Sequence, residues 1–275
     1  MLFRSADSFD HSFLLMRQWV RSGDARLRWT LAHSLRFARA TPRSFQVLRA
    51  LFEDRDLIPV RMFVVARKVE GQVIAAFARD GRMMGFLLAI PALHGELAYL
   101  HSHMLAVLPE FRRTGVGQRL KWEQRREALA RSIRLIEWTF DPLEWMNATL
   151  NLNRLGAIAR RYIPNLYGIS SSPLHRGLPT DRLVAEWWLE SPRVQAAEKG
   201  QPPHAFAAGM IDFDLGHMLE GLGGSPTTQS VQDSLRARLQ EAFAAGLMAT
   251  DFKTNDAGRG MYFLSKVEAA HAPGK

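Results

Sequence analysis

Val107-Leu108-Pro109-Glu110-Phe111-Arg112-Arg113-Thr114-Gly115-Val116-Gly117-Gln118-Arg119-Leu120 is the stretch on which the reading of this chain turns. Ahead of it, Leu97 to Val107 alternates apolar residues and predicts a buried strand; behind it, the charged run Gln118 to Ser132 predicts a helix. The turn between them is basic and holds two glycines. Gly115 and Gly117 lack a β-carbon, so another molecule can approach the main chain there. A helix opening at that point leaves its first amides without intrahelical acceptors and its positive dipole end outward, which suits a phosphate or pyrophosphate.

The third glycine of the dinucleotide fingerprint and the Gly-Lys-Ser/Thr ending of the P-loop are both missing, so neither pattern fits. The stretch resembles motif A of the GNAT superfamily of N-acetyltransferases, Arg/Gln-x-x-Gly-x-Gly/Ala after a strand ending in apolar-x-Pro. Arg112, Gly115 and Gly117 fill it, with Val107 and Pro109 in register. The resemblance implies acetyl-coenzyme A, or another acyl-coenzyme A, as cosubstrate. Its pyrophosphate would lie on the amides of Arg113, Thr114, Gly115, Val116, Gly117 and Gln118, and its pantetheine arm along Leu105 and Val107.

Composition bounds the alternatives. A chain of 275 residues with 47% hydrophobic and 23% charged residues can bury a real core and reads as an ordinary globular protein. Cysteine is absent, which excludes disulfides, thiolate metal ligands and a cysteine nucleophile. Arg4, Asp7, Asp10 and His11 interrupt the apolar residues of the N-terminus, and no later run reaches the roughly 18 apolar residues of a membrane span. The expectation is a cytoplasmic protein with no membrane partner. A net charge of +9 invites a nucleic-acid partner. The basic residues are scattered from Arg4 to Lys266 instead of forming an arm or a stacking platform, which argues against it.

Along the chain, Leu2 to Ser5 suggests a short strand, and Ser8 to Arg21, Leu27 to Ala38 and Arg43 to Phe52 suggest helices. Pro59 to Arg67 fits a helix or a strand. Gln72 to Ala78 and Met83 to Ile90 are strands joined by Arg79-Asp80-Gly81-Arg82, a hairpin signal, with Pro91 ending the second. Leu135 to Phe140 is a further strand, closed by Asp141-Pro142. The order is that of an α/β fold with a mixed sheet, and it matches the GNAT order. The resemblance implies a mixed, mostly antiparallel central sheet flanked by helices.

Asn147 to Gly156 reads as a short helix stopped by glycine, followed by a strand from Ala157 to Tyr162. This resembles the family's motif B, which places Asn147 with the coenzyme residues. Many members carry a tyrosine four residues before that glycine, as the acid that protonates the leaving thiolate. Here Leu152 stands there. Leu183 to Leu189 predicts the last core strand. The expected organisation is an N-terminal helical part over 1–58, a GNAT core over 59–190 and a linker over 191–203. A small α+β appendage over 204–275 would pack on the core, with a glycine-rich loop at Phe213 to Gly224, a helix at Val231 to Ala245 and strands at Met248 to Lys253 and Met261 to Ser265.

Acetyl transfer needs a polarised carbonyl, a deprotonated amine and a proton for the departing thiolate. His101 and His103 lie two apart on the strand that leads into the turn, and alternation puts them on one face. An imidazole can accept a proton at neutral pH. Their spacing also resembles that of serotonin N-acetyltransferases, which implies a base pair or a water relay. Satisfied strand histidines are the plain alternative. Glu137 would either face the same cleft or pair with an arginine. Tyr162 and Tyr167 are the tyrosines near motif B, and either a packing role or the missing acid fits them. Arg160, Arg161, Arg176 and Arg182 would clamp an acceptor carboxylate or be solvated. No third ligand joins the two histidines, so no metal site is expected.

The reading that follows is an acyl-coenzyme A-dependent N-acyltransferase acting on a primary amine of a small molecule, by direct attack in a ternary complex. A catalytically silent acyl-coenzyme A sensor and a protein lysine acetyltransferase are the alternatives, and a homodimer is left open.

Overall fold

The computed structural model describes residues 36–39, 60–168, 178–201, 208–214, 226–256 and 258–266. The strand read at Leu2 to Ser5, the helices at Ser8 to Arg21 and Arg43 to Phe52, Arg176 and the loop from 215 to 224 lie outside them. The chain divides into two compact units, one of residues 1–91 with 102–127, the other of 92–101 with 128–275.

In the first unit, strand β1 (Arg36–Arg39) pairs antiparallel with β2 (Gln72–Phe77), and β2 pairs antiparallel with β3 (Met83–His94). Strand β4 (Leu97–Val107) is the next neighbour of β3. The helix read over Leu27 to Ala38 is therefore wrong at its end, where Arg36 to Ala38 form an edge strand; the ladder to Ile74–Phe77 overrides the local helical pattern. Helix α1 (Val60–Lys68) resolves the helix-or-strand ambiguity there. It buries Phe63 and Ala66 against Val73, Ala75, Phe86 and Leu88, with the Phe63 and Phe86 rings edge to face at 5.6 Å. The β2–β3 hairpin closes as expected, Ala78 N–H donating to Arg82 O at 2.8 Å with Gly81 at φ 87°. Pro91 does not end β3, which runs on to His94. Pro91 is exposed, a setting in which a strand tolerates a missing donor.

Gly85 has no room for a side chain: a β-carbon there would stand 2.6 Å from Ala106 O. Strand β4 also changes phase. Ser102 accepts from Lys121 of helix α2 (Val116–Leu129), and Leu105 and Val107 lie beside Gly117 of that helix. Met104 and Ala106 pack instead on the cluster around Phe63. Strict alternation from Ser102 would put 104 and 106 against α2, so the strand slips by one residue between Ser102 and Met104, as a bulge does.

In the second unit the strand order is β4, β5 (Leu135–Phe140), β7 (Arg182–Trp188), β6 (Ile158–Ile163), β9 (Leu247–Thr254), β10 (Arg259–Lys266) and β8 (Gly209–Asp214). Strand β5 runs parallel to β4 at Leu100↔Ile136 and His101↔Glu137; the other recorded pairs are antiparallel. The sheet is thus mixed and mostly antiparallel. Trp187 is fully buried, its indole N–H donating to Leu155 O at 2.7 Å, and Trp138 meets it edge to face.

Two readings change here. The stretch 191–203 expected to be a linker contains helix α4 (Pro192–Glu198), N-capped by Ser191 with Val194 and Ala197 buried; Pro192 serves the first helical turn instead of breaking it. The motif B helix is not one regular helix. Helix α3 (Trp145–Ala148) passes into a π turn over Thr149–Arg154. Helix α5 (Pro226–Ala244) precedes β9, whose Ala249 pairs with Ala159 of β6, so the C-terminal strands extend the sheet of this unit. No described helix is long and apolar enough to cross a membrane.

Candidate functional site

The glycine turn begins where β4 ends. Leu108 N–H donates to Met84 O, and Pro109–Phe111 forms a 3-10 turn whose Phe111 ring is buried under the Arg82 guanidinium, 5.8 Å from the ring centre. Thr114 Oγ1 donates to Phe111 O at 2.6 Å, and Arg112 Nε folds back to Val107 O at 3.3 Å. Arg113 and Gly115 take left-handed backbone angles, φ 62° and 86°. Helix α2 starts at once, Arg119 N–H reaching Gly115 O at 3.0 Å, so the amides of Gly115, Val116 and Gly117 precede the first intrahelical bond.

The two glycines have different reasons to be there. Gly115 needs its angle, and a β-carbon on it would meet nothing within 4 Å. Gly117 has an ordinary helical backbone, and a β-carbon would sit 3.6 Å from Val107 Cγ2 and 3.7 Å from Leu105 Cδ2, which is comfortable contact. Glycine in a helix costs about 0.5–1 kcal/mol relative to alanine. Among the described residues nothing asks for that cost at Gly117. A cradle that a methyl group would fill, beside Leu105 and Val107, fits an anion laid against the helix start with an apolar arm along the strand.

Behind this turn, one helical turn past Gly117, Lys121 is buried. Its Nζ donates to Ser102 Oγ at 2.8 Å and to Gln124 Oε1 at 3.2 Å, and Gln72 Nε2 donates to Gln124 O at 3.1 Å. Burial holds the Lys121 amine well below the usual lysine range. Sequence reading missed this cluster. The spacing Gly117, Lys121, Gln124 on one helical face was the available signal, obscured because lysine and glutamine read as solvent-facing. His103, on the slipped part of β4, is open to solvent on one side, yet the burial around it lowers its pKa.

In the second unit His101 is in register with Glu137 on β5, and Glu137 with Glu186 on β7, so the three share one face in a row. The Glu137 side chain is 6% exposed and paired: His94 Nε2 lies 3.0 Å from Oε2, and Arg161 donates to Oε1. Glu186 takes Arg160 at 2.8 Å and Arg161 Nε at 3.2 Å. Of the two readings of Glu137, the arginine pair is the one the structure contains. Arg160 and Arg161 hold these carboxylates, and the Arg161 side chain is still 42% exposed. Tyr99 stacks on His94, ring centres 4.3 Å apart, and burial with the Glu137 charge raises its pKa.

The two tyrosines near motif B part company. Tyr162 O–H donates to the buried Asp181 at 2.6 Å; Arg236 Nε and Asn165 N–H donate to the same carboxylate at 2.7 and 2.9 Å. Burial, then the Asp181 contact, push the Tyr162 phenol far up. Tyr167 is 56% exposed, its hydroxyl 3.2 Å from Thr139 Oγ1 and its ring under the Arg182 guanidinium at 5.5 Å. Leu152, at the position where the family's tyrosine would stand, is fully buried in the π turn. That turn is tied to β9: Asn153 exchanges hydrogen bonds with the Phe252 backbone, and Arg193 donates to Leu152 O and Thr250 O. Asn147 is exposed on α3, and Asp141 ends β5 by accepting from Leu143 N–H at 2.8 Å.

A mixed sheet whose fourth strand runs through a basic glycine turn into a helix is the plan that the resemblance to the GNAT superfamily implies. Residues 33–149 match the acetyltransferase (GNAT) family. No curated protein matches the chain. Among solved structures it is similar to yncA of Salmonella typhimurium with its cofactor acetyl-CoA, at 11% identity and TM-score 0.48 over 57% of this chain and 95% of that one. It is also similar to the ribosomal-protein-S18-alanine N-acetyltransferase of Escherichia coli, at 12% identity and TM-score 0.46 over 64% and 98%. Arabidopsis thaliana NAA60 in complex with a bisubstrate analogue shows 17% identity and TM-score 0.46 over 56% and 98%.

Proposed function

We propose that this protein transfers an acyl group, acetyl in the simplest case, from coenzyme A to a primary amine of a small molecule. The observation that carries the reading is Gly117, a helical glycine whose missing side chain the packing of the described residues does not require. Bound acyl-coenzyme A would set its pyrophosphate on the amides from Arg113 to Gln118 and its pantetheine along Leu105 and Val107. Asn147 belongs to the proposed coenzyme set on the motif B resemblance alone.

Transfer proceeds by direct attack. The amine nitrogen forms a bond to the thioester carbon, the C–S bond breaks, and coenzyme A leaves as a thiolate that takes a proton. His103, an imidazole two residues before Leu105 whose pKa burial lowers, is the first candidate to receive the ammonium proton. His101 is the second candidate, in a row with Glu137. A silent acyl-coenzyme A binder is the reading that the buried Leu152 favours. The test is thiol release from acetyl-coenzyme A against a panel of amines, amino acids and lysine peptides, with acceptor-free hydrolysis as blank. Amine-dependent release supports the transferase and names its acceptor class. Release with peptides alone replaces the small acceptor by a protein one. Coenzyme binding without release with any acceptor supports the silent binder.

A further inference from the structure

We propose that Lys121 is the buried counter-charge of the glycine turn: its Nζ takes a proton from solvent when the pyrophosphate of coenzyme A settles at the start of α2, so the coenzyme binds more weakly as pH rises. The inference rests on the coenzyme reading of that turn, and every residue it uses belongs to the first unit.

Gly117 and Lys121 are four positions apart on α2 and so share the face turned toward β4. Gly117 stands beside Val107 and Leu105, and Lys121 Nζ reaches Ser102 Oγ at 2.8 Å, so the amine follows the turn and the apolar track along the same strand. The Lys121 Cα is about 6 Å along the helix from that of Gly117, and a helical side chain leans back toward the N-terminus. Across about 10 Å of protein interior, an ammonium and a pyrophosphate attract each other by more than thermal energy.

The surroundings suit an ammonium. Ser102 Oγ and Gln124 Oε1, which accept from Nζ, are neutral, and Gln72 Nε2 holds the same turn of helix through Gln124 O at 3.1 Å. Gln72 Oε1 is buried and accepts from no described group, so the cluster holds an acceptor in excess. Around the amine, β4 presents Ser102, with His103 next along the strand, and β2 presents Gln72. The helix itself presents Gln124, followed by Arg125, whose guanidinium stands 5.8 Å from the Trp122 ring centre. Burial holds the amine well below the usual lysine range. An anion at the helix start acts against that burial, because it favours the charged form. Gly117 and Lys121 both weaken the fold, and one bound anion gives both a use.

The test is calorimetric titration of wild type and Lys121→Met with coenzyme A, from about pH 6 to about 10, in buffers of different ionisation heat, which reads the protons taken up per coenzyme bound. At its maximum, wild type is expected to take up about 0.5–1 proton more than the variant, and its Kd should rise by up to about tenfold per pH unit where the variant's does not. The histidines and the coenzyme phosphates titrate in both proteins and cancel in the comparison. A second measurement needs no substitution. In wild type carrying isotope-labelled lysine, the Cε NMR signal that titrates below those of the other lysines should move its midpoint up by about one pH unit or more when coenzyme A saturates the protein. Equal proton uptake by the two proteins overturns the proposal, as does a midpoint that coenzyme A leaves in place. Absence of coenzyme binding at every pH sinks the reading of the turn itself, and the proposal with it.

Discussion

Tyr162 donates to Asp181 across 2.6 Å, and Asp181 is fully buried with Arg236 and Asn165 on its remaining lone pairs. A phenol in that position is a fastener between β6 and helix α5. Tyr162→Phe is expected to cost about 1–2 kcal/mol and Asp181→Ala about 3–5 kcal/mol, because the alanine leaves buried donors unmatched. The same contact sets a pH window. The phenol's pKa is raised in the folded state, so its contribution is complete below the unfolded value of about 10 and is lost as pH climbs beyond it. Urea melts from pH 8 to 11 should show an alkaline loss of stability that is reduced in Tyr162→Phe.

Lys121 works in the opposite direction. Its folded-state pKa is depressed, so as pH falls below about 10.4 the unfolded chain takes up the proton before the folded protein does. Stability from this group is complete above that pH and declines as pH falls. Lys121→Met removes the penalty while Ser102 Oγ keeps its bond to Gln124 Oε1 at 3.3 Å. The variant should be more stable at neutral pH by about 1–3 kcal/mol, with the gain shrinking toward pH 10 in the same melts.

Gly117 separates folding from coenzyme binding. Gly117→Ala fits beside Val107 and Leu105 and should raise stability by about 0.5 kcal/mol. Calorimetric titration with coenzyme A should show weaker binding by tenfold or more. Equal affinity in both proteins would remove the coenzyme from this turn.

Gly85 is the control for a glycine that the fold itself requires. Its β-carbon would strike Ala106 O, so Gly85→Ala should destabilise the first unit by about 2–3 kcal/mol in thermal melts.

His103→Gln should reduce kcat by about 10²-fold if this imidazole is the base, with coenzyme Kd unchanged. Because its pKa is lowered from about 6.5, the acid limb of wild-type kcat should fall below that value and vanish in the variant.

The sequence by itself determined the glycine turn, the β2–β3 hairpin, strands β4 and β5 and the helix after the turn. In each case the information is local: glycine where the backbone or a guest needs it, proline at a turn, alternation along a strand. The tertiary structure alone decided the rest. Arg36–Arg39 became a strand because an edge ladder was there to pair with, and Pro192 began a helix because Ser191 capped it. In β4 Ser102 faces Lys121 while Met104 and Ala106 face the Phe63 cluster, so alternation could not fix whether His101 and His103 share a side. Tyr162 and Tyr167 stand five positions apart and read alike in sequence. They differ because Asp181 and Arg236, 19 and 74 residues beyond Tyr162, close on one phenol and leave the other to solvent.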